Sequence, residues 1–245
     1  MTNNDPVFNT KLELVAVLRW SERLGLSEGI CNHYSAVHPT DPDFFLLNPQ
    51  GIHWSEVQVS DILTVDVDGN VVQGKHTIEP SAFYIHSRIH LNNASAVCVL
   101  HTHMPHATAL CCIEEGQLEW CSQNALRYYG DVAYDREFNG VANANDEGDR
   151  LATALGNKRV IFLEHHGVIV TGSCIAHAFD DLYYLERTCE LQLKAMSSGR
   201  QLKIISDEMA EATSNEIKVV CREQSISHME AICRILIAED PGLIE

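Results

Sequence analysis

Apolar positions along the chain alternate between helical spacing and short continuous runs. The first helical pattern follows Thr10-Lys11-Leu12-Glu13, which has the T-x-x-E form of a capping box, and continues to Gly25. Ser173 is expected to cap a later, longer helix. Further helices are predicted over residues 80–91, from Pro105 through 110, over 175–196 and over 207–237.

Short apolar segments lie between these helices and predict strands at residues 34–37, 44–47, 97–100, 160–163 and 168–170. Residues 62–67 and 71–72 flank Asp68-Gly69-Asn70, a pattern typical of a β-hairpin. Interleaved strands and helices indicate an α/β or α+β fold. Because no repeat, low-complexity tract or Gly/Ser linker interrupts the pattern, we expect residues 1–245 to form a single domain.

Charge and cysteine usage narrow the class of protein. The chain has 34 acidic and 17 basic residues, a net charge of −17, which disfavours nucleic acid and anionic membranes as partners. Its nine cysteines form no C-x-x-C motif, which is typical of reduced, packed thiols. The first residues resemble no signal peptide, and no apolar run approaches the roughly 20 residues of a membrane span. We expect a cytoplasmic protein with a small-molecule substrate.

Two of the predicted strands end in histidine. His101 and His103 are two residues apart at the end of one strand, so their side chains leave the same face. The second strand ends in His165-His166-Gly167, and spacing alone does not decide which histidine faces the first pair. The conformational freedom of Gly167 favours His166. Three histidines with an open position form a catalytic metal site; the alternative is two unrelated polar strand ends.

The motifs HTHMPHATA and LEHHGVIVTG, with RLGLSEGICNHYS, HSRIH and QNALRYYGDVAYDREFNG, resemble segments of the class II aldolase/adducin family, in its bacterial adducin-like branch. The resemblance covers about residues 10–200. It implies that His101, His103 and His166 bind a divalent metal, zinc first, with manganese or iron as alternatives. It also implies a three-layer α/β/α sandwich with a mostly antiparallel central sheet, and a homotetramer with active sites at subunit interfaces.

One departure from the family concerns its acid/base residue. Aldolases of the family have a glutamate at the start of a helix, four residues before a histidine. Counting back from His86, that position is Ala82 here. Glu79 lies three residues earlier and is the candidate catalytic substitute; the alternative is a charge that stabilises a helix N-terminus.

A second departure concerns phosphate binding. Where the family aldolases have a small-residue loop ending in Gly-Asn-x-Ser, this chain has Asn32-His33-Tyr34-Ser35. The bulkier loop disfavours close approach of the backbone to phosphate. We therefore expect a non-phosphorylated substrate, with Asn32, His33 and Ser35 as candidate contacts. Arg127 is a further candidate, for a substrate carboxylate.

Three functions are compatible with these residues. The first is a metal-dependent carbon–carbon lyase acting on a small hydroxy or keto compound through a metal-stabilised enolate. Loss of the family glutamate favours decarboxylation over aldol cleavage, because aldol cleavage requires prior deprotonation of an alcohol. The second is a non-catalytic scaffold like the adducin head, although the chain ends in AEDPGLIE without the Lys-rich tail of adducins. The third is other metal chemistry, such as epimerisation or oxygenation.

Overall fold

The computed structural model describes residues 4–140 and 144–245, and its strands form one eight-stranded sheet. The strands are β1 His33–Val37, β2 Phe44–Leu47, β3 Leu63–Asp66, β4 Val71–Gln73, β5 Cys98–Thr102, β6 Val132–Asp135, β7 Val160–Leu163 and β8 Gly167–Gly172. In sheet order β4-β3-β2-β1-β5-β8-β7-β6, every neighbouring pair is antiparallel except β6 and β7.

Six α-helices accompany the sheet among the described residues. They are α1 Pro6–Arg23, α2 Pro80–Asn92, α3 Pro105–Cys111, α4 Asn145–Leu155, α5 Ile175–Met196 and α6 Asp207–Glu239. Short 3-10 segments occur at Val59–Asp61, Asn124–Tyr128 and Pro241–Ile244. No helix in the described ranges has both the length and the apolar character needed to cross a bilayer.

The central strands β5 and β8 bury both of their faces, which explains their continuous apolar runs. In β5, Cys98 and Leu100 belong to the core that contains α1, α3, α5 and α6, whereas Val99 belongs to the core beneath α2 and α4. In β8, Val170 and Ile169 divide between the same two cores. The sheet therefore lies between two helical layers, and the predicted α/β/α sandwich with a mostly antiparallel sheet is confirmed.

Two predicted helix caps are wrong. The first helix begins at Pro6, where the Asp5 carboxylate caps it by accepting from the Val7 amide. Thr10 lies inside that helix and donates its hydroxyl to the Pro6 carbonyl. The N-cap of α5 is Cys174, not Ser173.

The sequence pattern also missed β6 and α4. Strand β6 is short and only half-buried, and α4 carries three buried residues on an otherwise polar sequence. Strand β6 has only four residues, and the buried side of α4 is narrow, with Leu151 and Leu155 one turn apart. Their place in the fold depends on tertiary contacts, with β6 pairing in parallel to β7.

Gly148 of α4 permits the close packing of α4 against α2. A Cβ atom built on Gly148 would lie 2.0 Å from the Tyr84 carbonyl oxygen and 2.7 Å from Cγ of Arg88. We therefore expect Gly148→Ala to lower the free energy of unfolding by about 1–3 kcal/mol, although alanine is the better helix former. Denaturant unfolding measures the change. Thr153→Ala, on the exposed side of α4, is the control and should be near neutral; equal stability of Gly148→Ala and the parent would contradict the packing argument.

Candidate metal centre

His101 is held by the middle of the sheet. It is 2 % exposed, and strand pairing sets it opposite His33 of β1 and Ile169 of β8. Its Nδ1 lies 3.0 Å from the Val168 carbonyl oxygen, which only accepts, so Nδ1 carries the proton. The Nε2 atom then has its lone pair free, as a metal ligand requires.

His103 follows β5, and, as in His101, a hydrogen bond at Nδ1 orients its ring. Its Nδ1 hydrogen-bonds to the Glu28 carboxylate, and its backbone amide donates to Oδ1 of Asn32 over 3.4 Å. The buried Nε2 atom of His103 has no hydrogen-bond partner among the residues that the structure describes. A buried nitrogen of this kind is costly unless a ligand satisfies it.

His166 is brought to the same place by the tight β7–β8 connection. His165 takes the left-handed conformation there, with φ of 57°, and its side chain is 59 % exposed. Gly167 has a different role from the one its sequence position suggests. A Cβ atom on Gly167 would lie 2.7 Å from the Thr102 carbonyl oxygen and 2.9 Å from Cδ2 of His103, so its missing side chain permits close approach of the strands.

The three histidines predicted from the strand ends lie together. Their ring centroids are 4.8–5.0 Å apart, and one potential ligand nitrogen from each lies within 4.8 Å of the others. Burial lowers the pKa of His166 to about 4 and that of His101 well below its ordinary value. Converging imidazoles, one of which has a buried and unsatisfied nitrogen, are the donor set that zinc and similar divalent cations prefer. The cluster therefore fits a divalent metal.

Known proteins share both the sequence pattern and the fold. Residues 12–193 match the family described as Class II Aldolase and Adducin N-terminal domain. A Caulobacter vibrioides protein whose name assigns it provisionally to the class 2 aldolases is 31 % identical over 205 residues, covering 83 % of this chain and 79 % of its own.

Two solved structures extend the similarity to nearly the whole chain. An aldolase II superfamily protein from Pseudomonas syringae superimposes with a TM-score of 0.91 at 28 % identity, covering 98 % of this chain and 97 % of its own. The L-fuculose 1-phosphate aldolase from Glaciozyma antarctica PI12 gives a TM-score of 0.86 at 25 % identity, covering 96 % and 94 %.

The fold and the histidine cluster together define an α/β/α sandwich whose central sheet presents a site suited to a divalent cation. The chain belongs to the class II aldolase and adducin family. The family resemblance inferred from the motifs is thereby confirmed, and the matched residues agree with the predicted extent.

The loop candidates lie beside the histidines. Asn32, in the left-handed region with φ of 76°, has a buried Nδ2 without a partner in the described parts of the chain. The His33 ring lies 4.8 Å from the His101 ring, tilted by 31°. Ser35 lies on the same face of β1 as His33, but its hydroxyl bonds to His86 and His90. Asn32 and His33 therefore adjoin the centre directly, and Ser35 lies one layer behind.

Glu79 is both a helix cap and a neighbour of the centre. Its Oε2 accepts from the Ala82 amide over 2.7 Å and from the Ser81 hydroxyl, as an N-cap does. The same oxygen lies 4.0 Å from Nε2 of His33, and the side chain is 39 % exposed. Ala82 is buried and supplies no acid/base group.

Arg127 lies in another part of the fold. Its guanidinium bonds to Asp180 and Asp181 of α5 over 2.5 and 3.2 Å, and stacks on Tyr184. Two carboxylates already neutralise it, so these contacts give no support to a substrate role at the histidines.

Three residues that adjoin the metal centre or its neighbours were not identified as site residues from the sequence. Glu28 orients His103 from a distant loop, and no spacing rule connects the two residues. His86 and His90 were detectable in part, because positions four apart share one face of a helix. Their partners on β1, however, depend on how α2 packs on the sheet.

Metal content tests the ligand set directly. We expect His166→Ala to lose most of the metal that the parent protein retains, because one of three ligands is removed. His165→Ala is the matched control. The His165 side chain is exposed to solvent, so its removal should leave the metal content unchanged. Elemental analysis of protein purified without added metal gives the readout; equal metal in both variants would contradict the assignment.

Proposed function

We propose that this protein is a divalent-metal-dependent carbon–carbon lyase that acts on a small, non-phosphorylated hydroxy or keto compound. The observation that carries the proposal is the convergence of His101, His103 and His166 with a buried, unsatisfied nitrogen among them. Similarity to an L-fuculose 1-phosphate aldolase over most of both chains supports lyase chemistry. Zinc is our proposed metal. From family resemblance and nine free cysteines, we further propose a homotetramer in the reducing cytoplasm.

When bound, the metal would supply a Lewis acid that polarises a carbonyl oxygen and stabilises negative charge as a carbon–carbon bond breaks. The protein would exclude water from the region where that charge develops, since His33 and His101 are nearly fully buried. Electrostatic interactions are stronger in such surroundings than in water.

Asn32 is the residue best placed to orient the substrate. Its Nδ2 is a buried donor without a partner in the described ranges, and its Oδ1 is tied to the His103 amide. The side chain is thus held with its amide hydrogens available. We propose that they donate to a carbonyl or carboxylate oxygen of the substrate.

Glu79 is our proposed proton-transfer group. Its Oε2 is occupied by helix capping, which leaves Oε1 to act on substrate beside His33. Glu79 lies three residues before Ala82, the position that corresponds to the family's glutamate. For Glu79 to transfer the proton in aldol cleavage, the substrate would have to bind in a different pose. Decarboxylation requires no deprotonation before CO₂ leaves, and we therefore propose it ahead of aldol cleavage.

A screen of small hydroxy and keto acids with metal-replete and metal-stripped protein tests the proposal. We expect turnover by the replete protein alone, with CO₂ released. Glu79→Gln should lower the rate on the order of 10²-fold, as expected for loss of a general acid/base group, whereas the exposed control Glu56→Gln should not.

Different outcomes of the screen overturn different parts of the proposal. Retro-aldol turnover without decarboxylation would overturn the preference for decarboxylation. The absence of any metal-dependent turnover would favour the alternative, a non-catalytic adducin-head-like scaffold.

A further inference from the structure

A continuous hydrogen-bonded chain runs behind the metal centre, from α2 to β1. Nδ1 of His90 lies 2.6 Å from the Ala96 carbonyl oxygen, and Nε2 of His90 lies 2.7 Å from the Ser35 hydroxyl. That hydroxyl lies 2.6 Å from Nδ1 of His86, whose Nε2 lies 2.7 Å from Nδ1 of His33. All four side chains are buried, at 7 % exposure or less.

The direction of this chain is fixed by its first member. A carbonyl oxygen only accepts, so His90 must donate through Nδ1 and accept through Nε2. Ser35 then donates its one proton to His90 and accepts from Nδ1 of His86. It follows that Nε2 of His86 accepts from Nδ1 of His33, which leaves Nε2 of His33 as an acceptor.

This assignment requires neutral imidazoles, because a charged ring donates from both nitrogens. All three rings are buried, at 7 % exposure or less, and burial disfavours the charged form of an imidazole. His90, which begins the chain, has its pKa lowered to about 4 by that burial. Each ring therefore has one donor and one acceptor near neutral pH.

The chain ends in a gap between two acceptors. Nε2 of His33 faces Oε2 of Glu79 across 4.0 Å, too far for a hydrogen bond. Both atoms are acceptors, because Oε2 already accepts from the Ser81 hydroxyl and the Ala82 amide. The gap adjoins the metal centre, since the His33 ring lies 4.8 Å from that of His101. A group that enters it must bring its own donor.

We propose that Ser35, His86 and His90 fix His33 as a hydrogen-bond acceptor, so that the site selects a substrate presenting a free hydroxyl beside the metal and rejects its phosphate ester there. The inference rests on the proposed function and names its substrate class. A phosphate dianion has only acceptor oxygens, which would meet a lone pair and a carboxylate. Ser35, His86 and His90 are positioning residues, acting through His33.

The tautomers can be read by long-range ¹H–¹⁵N NMR of the zinc-loaded protein with labelled imidazoles, assigned with single-histidine variants. We expect His33, His86 and His90 all to carry the proton on Nδ1. Ser35→Ala should abolish this uniform pattern, whereas Ser87→Ala, a buried serine of α2 that bonds to the Phe83 carbonyl, should retain it. A proton on Nε2 of His33 in the parent protein would overturn the proposal.

Selectivity gives a second readout that needs no turnover. Glycolate and 2-phosphoglycolate, which differ only in esterification of the hydroxyl, serve as probes in calorimetric titrations of the zinc-loaded protein. We expect the parent to bind glycolate more tightly, and His33→Asn, which can offer a donor, to reduce that preference at least about tenfold. An unchanged ratio in His33→Asn, or a parent that prefers the ester, would overturn the inference. Because neither assay measures catalysis, a failed lyase screen would leave both results interpretable.

Discussion

The register of β5 between β1 and β8 is the constraint on which the candidate site depends. It sets His101 opposite both His33 and Ile169 and places the histidine-bearing β7–β8 connection beside the end of β5. A slip of one residue would turn His101 toward the other helical layer and exchange it with an apolar neighbour. The apolar residues that alternate with these histidines, such as Leu100 and Val168, fix that register because they fill a core.

Burial then gives the histidines their chemistry. Burial disfavours the charged form of His101 and His33, and the position of the ring proton is set by a neighbour: the Val168 carbonyl for His101 and the chain from Ala96 for His33. His103 is oriented by the Glu28 carboxylate. The same burial makes an unsatisfied nitrogen expensive, which favours binding of a cation at the centre. The proposed metal binding and the proposed substrate preference thus rest on one set of hydrogen bonds.

Sequence reasoning found the elements that have strong local signals. The apolar runs before His101 and His166, and turn residues such as Asp68-Gly69, gave β5, β7 and the β3–β4 hairpin correctly. It failed where the signal is tertiary. The polar helix α4 is defined by its packing on α2 through Gly148, and the partners of His86 and His103 come from distant segments. Arg127 was a candidate contact for a substrate carboxylate because of its local sequence. In the structure its guanidinium instead forms an ion pair with Asp180 of α5.

If three imidazoles hold one cation and leave room for a substrate oxygen, X-ray absorption spectroscopy of the zinc-loaded protein will detect that coordination. We expect a first shell of nitrogen and oxygen at about 2.0–2.1 Å, with outer-shell scattering from three imidazoles. A sulfur ligand at about 2.3 Å, or scattering from fewer than three imidazoles, would contradict it.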